Sequence, residues 1–455
     1  MTRAEDPRPG RHLLLDARIV EGTQNAALTL GTVEKHTRNP LFGEDKPWEK
    51  RFDNLYANIT YDDEEETYKC WYSPFIVDHS SKGMTLRQRR ETKYQAPRNR
   101  EMALCYATSK DGLDWVKPEL GLVDCEGSKA NNILWRGSEA LRGGPHGTGV
   151  LKDLRDPDPN RRYKALLKSR ILSVAFSPDG IHWGPAIACP EADSAGDTHN
   201  NAFWAPTLGR HVGITRQWGK PFRRQVAWTS SADFVNWEKT QVVLEGLDLN
   251  HQTYAMPVFF HGGVYIGLVT IHDQDTDRVW GELAWSPDTK EWHRVRPGTP
   301  LIPNSGDEGD YDWGCVYPSA YPVFLEDEIR LYYGLHTSWR NGFLCMATLR
   351  PDGFAGYRPS NTKKPALVTT TPAYYPQTPL RVSADVADGG RLVVRVLGSE
   401  QQEVLAESEP LTTTVTDAVV RWRDDTALDA VTAESVRLQF EFHDATVYSF
   451  SLGSA

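Results

Sequence analysis

The chain of 455 residues has no apolar run approaching a membrane span. Its six cysteines, Cys70, Cys105, Cys125, Cys189, Cys315 and Cys345, are scattered, and none forms a C-x-x-C. Neither a disulfide framework nor a zinc ribbon is therefore expected. There is no His-Glu-x-x-His, no glycine-rich phosphate loop and no dinucleotide fingerprint; no metal and no organic cofactor is expected. Basic residues are outnumbered: 51 Lys and Arg stand against 61 Asp and Glu, a net charge of −10. A nucleic-acid binder needs a basic face to neutralise phosphates, so that class is set aside. The opening Met-Thr-Arg-Ala-Glu-Asp-Pro-Arg-Pro-Gly lacks the apolar core of a secretory signal. A cytoplasmic location is expected, and a homo-oligomer is compatible with the sequence.

What is abundant is aromatic: 15 Trp, 18 Tyr and 15 Phe, broken by 36 Gly and 29 Pro. That mixture favours many short strands. One short pattern recurs, an apolar strand followed by Ser, Asp, a turn residue and an aromatic. It reads Tyr-Ala-Thr-Ser-Lys-Asp-Gly-Leu-Asp-Trp at 106–115 and Val-Ala-Phe-Ser-Pro-Asp-Gly-Ile-His-Trp at 174–183. Two more copies end at Trp237 and Trp292, and a degenerate one ends Arg-Pro-Asp-Gly-Phe at 350–354. Each copy is a strand closing in a tight turn, with the Trp of the return segment packing back. Before each copy comes a second hairpin, as in Tyr56–Tyr72 and Pro322–Gly334. Two hairpins make four strands, and five units of about fifty to seventy residues make a five-bladed β-propeller.

Near Pro359 the pattern stops. Segments 380–386, 390–397 and 436–442 alternate apolar and polar residues, as strands with one buried face do. The expected fold is all-β, with a catalytic propeller over 1–360 and a β-sandwich over 366–455.

A five-bladed propeller followed by a β-sandwich resembles the superfamily of invertases, fructan hydrolases, α-L-arabinofuranosidases and β-xylosidases. The chain is most similar to bacterial family 32-like glycoside hydrolases. The shared pattern is Ala-Thr-Ser-Lys-Asp-Gly…Trp…Lys-Pro-Glu-Leu-Gly at 107–121, then Asn131-Asn132, the Asp-Gly-Phe at 352–354, and Asp-Ala-Thr-Val-Tyr-Ser-Phe at 444–450. The resemblance implies a glycoside hydrolase removing a terminal sugar, such as a fructofuranoside or arabinofuranoside, from an oligosaccharide. The Asn-Asp-Pro-Asn-Gly nucleophile motif and the Glu-Cys acid/base motif of true invertases are absent. The Arg-Asp-Pro at 155–157 reads as a hairpin connection.

In a propeller the innermost strand of each blade opens at the mouth of the central channel, so polar residues just before those strands are the site candidates. They are Glu49, Asp53 and Asn54; His146; Asp197, His199, Asn200 and Asn201; His251, Gln252 and Tyr254; and Glu308, Asp310, Asp312 and Tyr317. Glycoside hydrolysis uses two carboxyls, one to protonate the leaving oxygen and one to attack or to activate water. Asp197 is the first choice and the loop 307–312 the expected source of its partner, Asp312 ahead of Glu308, with Glu49 as a further catalytic candidate. Asp53, Asn54, His146, His199, Asn200, His251, Tyr254, His336 and Arg340 are the expected substrate-binding groups. Two rivals stay open: a non-catalytic carbohydrate-binding propeller, since a fold does not fix an activity, and a phosphorylase or transglycosylase. A phosphorylase needs basic groups at the mouth, for which Arg216, Arg340 and the histidines are available.

Overall fold

A computed structural model describes residues 10–78, 80, 84–85, 88, 91–92, 100–137, 144–307, 310–336, 342–373, 379–398, 403–423 and 435–453. Glu308 and Arg340 lie outside the described residues, and of His336 only the backbone is described.

The molecule is all-β, a five-bladed propeller joined to a large antiparallel sheet. The innermost strands are Asn58–Asp62, His146–Lys152, Asn201–Ala205, Val258–His261 and Val323–Phe324. Each begins a blade whose next strand returns beside it: Thr67–Tyr72, Tyr163–Lys168, Arg210–Gly219, Val264–Asp273 and Ile329–His336. The first four inner strands pack on one another in turn around the ring, and the fifth packs against the first.

The recurring Ser-x-Asp turn has one chemistry in four blades. Asp111, Asp179, Asp233 and Asp288 each accept two successive backbone N–H groups at 2.8–2.9 Å. In blades one and two the preceding Ser oxygen also accepts the glycine N–H at 2.9 Å. Each closing Trp, at 115, 183, 237 and 292, donates its indole N–H to the carbonyl three residues back. That carbonyl belongs to a left-handed residue: Gly112, Gly180, Phe234 or Thr289. The fifth copy, Arg350-Pro351-Asp352-Gly353-Phe354, lacks the Ser, and its acid is used otherwise. Asp352 is fully buried and accepts from Arg11 at 2.6 Å, Ser449 at 2.6 Å and Ser383 at 3.0 Å, with His261 Nε2 at 3.2 Å. It ties blades four and five to the large sheet.

The ring is closed by the other end of the chain. The outer edge of blade five is built from Glu34–Lys35 and Phe42–Gly43, which pair with Gly342–Leu349. The repeat pattern predicts a propeller over the whole of 1–360. Strand pairing instead puts Arg11–Leu13, Val20–Gln24 and Ala26–Leu30 in the nine-stranded sheet with Ala355–Pro359, Ala366–Thr370 and the two long strands Leu380–Leu397 and Arg437–Leu452. The reason is their burial against that sheet's own core: Leu14 belongs to it, and Ile19, Val20 and Ala26 pack on it.

Candidate functional site at the channel mouth

Because the inner strands run the same way around the ring, the segments that precede them converge on one end. In blade one, Asn54-Leu55-Tyr56 makes a kink with Leu55 and Tyr56 in left-handed backbone, which turns the Tyr56 ring inward. Between blades two and three the backbones nearly touch: Asn200 N–H donates to Gly147 O at 2.9 Å. A side chain at residue 147 would meet Thr198 O at 1.6 Å, so glycine is required there.

Asp197 is the centre of the charged cluster. His146 Nε2 lies 3.1 Å from its carboxylate, Lys168 Nζ 3.6 Å and Arg216 3.9 Å. The hydrogen bond from His146, reinforced by these cations and opposed by burial, holds the Asp197 carboxyl far below the usual carboxylate range. Its side chain remains 35% exposed, so it is ionised and reachable.

Beside it stand three tyrosines. Asn54 donates to the hydroxyls of Tyr56 at 2.5 Å and Tyr254 at 3.0 Å. Tyr254 packs edge-on against Tyr317, and Tyr56 against His146. Asp53, held by Arg51 at 2.7 Å and 24% exposed, is the second carboxylate here. The charges of Asp53 and Asp197 both bear on the buried Tyr56 hydroxyl, which desolvation pushes well above the ordinary tyrosine range. Arg216 lies over the Tyr254 ring at 4.6 Å and donates to the Tyr254 carbonyl at 2.5 Å. Arg224 lies over the same ring at 5.4 Å, its backbone N–H bonded to Gln252.

The structure thus gathers Asp53, Asn54, His146, Asp197 and Tyr254 at one mouth. Other expected residues go elsewhere, each for a legible reason. Glu49 is fully buried against Lys117 at 2.8 Å, the Tyr72 hydroxyl at 2.7 Å and the N–H groups of Asp45 and Lys46. Burial raises its pKa, with Lys117 opposing. Asp312 is likewise fully buried, paired with Lys35 at 2.5 Å and accepting from Ser305; it anchors the closing strand rather than supplying Asp197's partner. A carboxylate with no exposed surface and every oxygen engaged does not touch a substrate. Asn200 spends its amide N–H on three backbone carbonyls and its oxygen on Thr215. His251 caps its own turn through Asp248 at 3.0 Å. His199 is buried behind Tyr56 with Nε2 3.3 Å from Asn58, and desolvation lowers its pKa to about 3. Asn201 binds the Val258 N–H, linking blade three to blade four.

The sequence reading missed Tyr56, Lys168 and Arg224. Only Tyr56 carried a usable signal, its place directly before an inner strand. Lys168 and Arg224 sit on second and third strands, and their approach depends on register, with Arg224 directly opposite Trp218. Among the described residues no group of three or more His, Cys, Asp or Glu side chains converges as a metal site. Among them, too, no helix is long and apolar enough to cross a membrane.

No family model matches the chain, and no curated protein sequence does. Similarity appears among solved structures. A candidate glycoside hydrolase from Parabacteroides distasonis superimposes with a TM-score of 0.50 at 17% identity, over 70% of this chain and 97% of that one. The β-1,2-mannobiose phosphorylase of Listeria innocua, in complex with β-1,2-mannobiose, gives 0.48 at 11% identity, over 70% and 97%. A candidate glycoside hydrolase from Bacteroides ovatus gives 0.49 at 15%, over 72% and 98%. The first of these likenesses, at that identity, places the chain in the same propeller fold.

Proposed function

We propose that the chain is a glycoside hydrolase that removes a terminal sugar from an oligosaccharide at the channel mouth, with Asp197 and Asp53 as its two carboxylates. The observation that carries this reading is the reachable, ionised Asp197 beside His146, with Asp53 close enough that both carboxylate charges bear on the Tyr56 hydroxyl. An anion so placed suits nucleophilic attack, the orientation of water or the stabilisation of positive charge at the anomeric carbon. Arg51 holds Asp53 and Asp78, each at 2.7 Å, and Asp53 is the second carboxylate of the pair. The tyrosines, His146 and Asn54 supply the faces and hydrogen bonds that a polyhydroxylated ring needs. A furanoside is the substrate class carried forward from the family resemblance. A cytoplasmic location belongs to the same reading, and cell fractionation tests it.

A screen of aryl furanosides and pyranosides, followed by Asp197→Asn and Asp53→Asn on the active substrate, is the test. Each variant should lose at least about 100-fold in turnover while folding normally. Wild-type turnover in both would remove the assignment.

One observation favours a second reading. Lys168, Arg216 and Arg224 bring three permanent cations to the mouth, and the Nε–H groups of both arginines are buried without a hydrogen-bond partner. That is more positive charge than Asp197 alone balances, as an oxyanion co-substrate such as phosphate would require. Adding inorganic phosphate separates the two: a sugar phosphate in place of free sugar makes the enzyme a phosphorylase. Binding of the sugars with no turnover under either condition leaves the carbohydrate-binding reading.

A further inference from the structure

The third blade reaches past the channel mouth. Its hairpin Arg210–Gly219 and Arg223–Ser231 is paired to the last residue, Gly219 opposite Arg223. At its tip stands Phe222, 85% exposed, the most exposed large hydrophobic among the described residues. Its backbone is left-handed, with φ at 41°. A bulky residue is disfavoured in that region, where glycine or asparagine would sit without cost. The chain therefore keeps an aromatic at a position that both solvent and backbone conformation oppose.

Phe222 does not stand alone. Trp218, 39% exposed, packs edge-on against it with ring centroids 6.3 Å apart. Arg216 and Arg224 lie over the Trp218 ring at 5.4 and 5.2 Å, and both also lie over Tyr254. A continuous stack thus runs from Tyr254 in the pocket, through two guanidinium planes, to Trp218 and then to Phe222 in solvent. The arginines fix the Trp ring from the pocket side, so its remaining exposed surface belongs to the solvent side of the same opening.

We infer that Trp218 and Phe222 form an aromatic platform for the second ring of the substrate, the sugar on the leaving-group side of the bond that is cut. Aromatic faces suit the apolar C–H faces of a sugar ring, and a rigid one costs little conformational entropy on binding. Continuity with the pocket selects this occupant over an unrelated protein surface. The inference rests on the proposed function in placing the cut bond near Asp197, and it adds that the enzyme reads at least two sugar units.

The test uses the whole chain and a fixed panel: sucrose, inulobiose, arabinobiose, xylobiose and β-1,2-mannobiose, each with the glycosyl fluoride of its donor sugar, the fructosyl unit in the case of sucrose. Fluoride is too small to reach the hairpin. For the pair that is turned over, Phe222→Ala and Trp218→Ala should lower kcat/KM on the disaccharide at least tenfold, mainly through KM. The loss on the fluoride should be several times smaller. Equal losses on both, or none on either, would overturn the platform. If nothing is turned over, calorimetric titration of the same disaccharides decides. Binding that weakens tenfold in Phe222→Ala keeps the platform while the hydrolase reading fails. Binding unchanged in both variants, or no binding by the wild type, overturns the platform. A variant that instead changes sedimentation from oligomer to monomer also overturns it, because the aromatic pair then serves self-association.

Discussion

The two ends of the propeller use the same residue types for opposite purposes. Where the inner strands finish, the two buried acids are matched by bases and hydroxyls, in part from the next blade. Asp62 of blade one meets Lys69 of its own blade and Lys152 of blade two, both at 2.9 Å. Asp153 of blade two meets His211 of blade three at 2.9 Å and Lys164 at 3.1 Å. Both acids are 1% exposed and lie well below the usual carboxylate range, the pull of these partners outweighing burial. Where the inner strands begin, the acids stay reachable and the cations outnumber them. A buried, balanced pair is mortar between blades. An exposed acid in a surplus of opposite charge is poised for something that arrives from outside.

That contrast can be broken from either side. The largest effect belongs to the mortar: Asp153→Ala strips His211 of its acid and leaves the fully buried Lys164 with Asp156 alone, at 2.9 Å, and should cost about 3 kcal/mol of stability. Chemical denaturation measures it, and turnover per folded molecule should be unchanged. At the other end Asp197→Asn should act mainly on turnover, a loss of about 100-fold, near 2.7 kcal/mol on the barrier, with a smaller loss of stability than Asp153→Ala, since the partly exposed, cation-held carboxylate also contributes to folding. If the two variants exchanged phenotypes, the assignment of the two ends would be inverted.

His199 sharpens the comparison because it stands at the functional end yet is built like mortar. Its folded-state pKa of about 3 lies below the value near 6.5 expected in the unfolded chain. Between those values the unfolded state binds the extra proton, so His199 makes stability fall as pH falls from 6.5 towards 3. His199→Gln should remove up to about 1.4 kcal/mol per pH unit of that slope, read from denaturation midpoints across pH 4–6.5. The smallest effect belongs to the outer turns. Asp179→Ala removes two acceptor contacts to the Ile181 and His182 N–H groups at an exposed site, and about 1 kcal/mol is expected.

The turns were legible in the sequence because all their partners lie within three residues: a Ser, an Asp, a left-handed residue and a Trp repeat as a local unit. The blade count and the all-β fold follow from counting them. The site was legible only where strand order alone brings residues to the mouth, as with Asp53, His146, Asp197 and Tyr254. Glu49 and Asp312 misled because their partners, Lys117 and Lys35, are far along the chain, and nothing local separates a loop acid bound for the channel from one bound for a buried lysine. The reverse holds for the fifth turn, whose missing Ser and buried Asp352 become intelligible only once Arg11, His261, Ser383 and Ser449 surround it.

The closing of the ring by residues 34–43 has a consequence for the order of events during synthesis. Lys35 pairs with Ala347 and Phe42 with Leu344, so the segment that completes the last blade leaves the ribosome some 300 residues ahead of its partner strand and waits for it. At about 5–20 residues per second, some 300 residues of delay is about 15–60 s. Residues 11–30 wait longer still, since Leu13 pairs with Ser449 near the other end of the chain. Blades one to four can form in succession from local hairpins, while residues 11–43 remain without their partner strands. Late closure by distant contacts is slow and leaves strand edges open to other chains. The N-terminal segment is thus a timed latch, and translation speed sets how long the nascent propeller stands open.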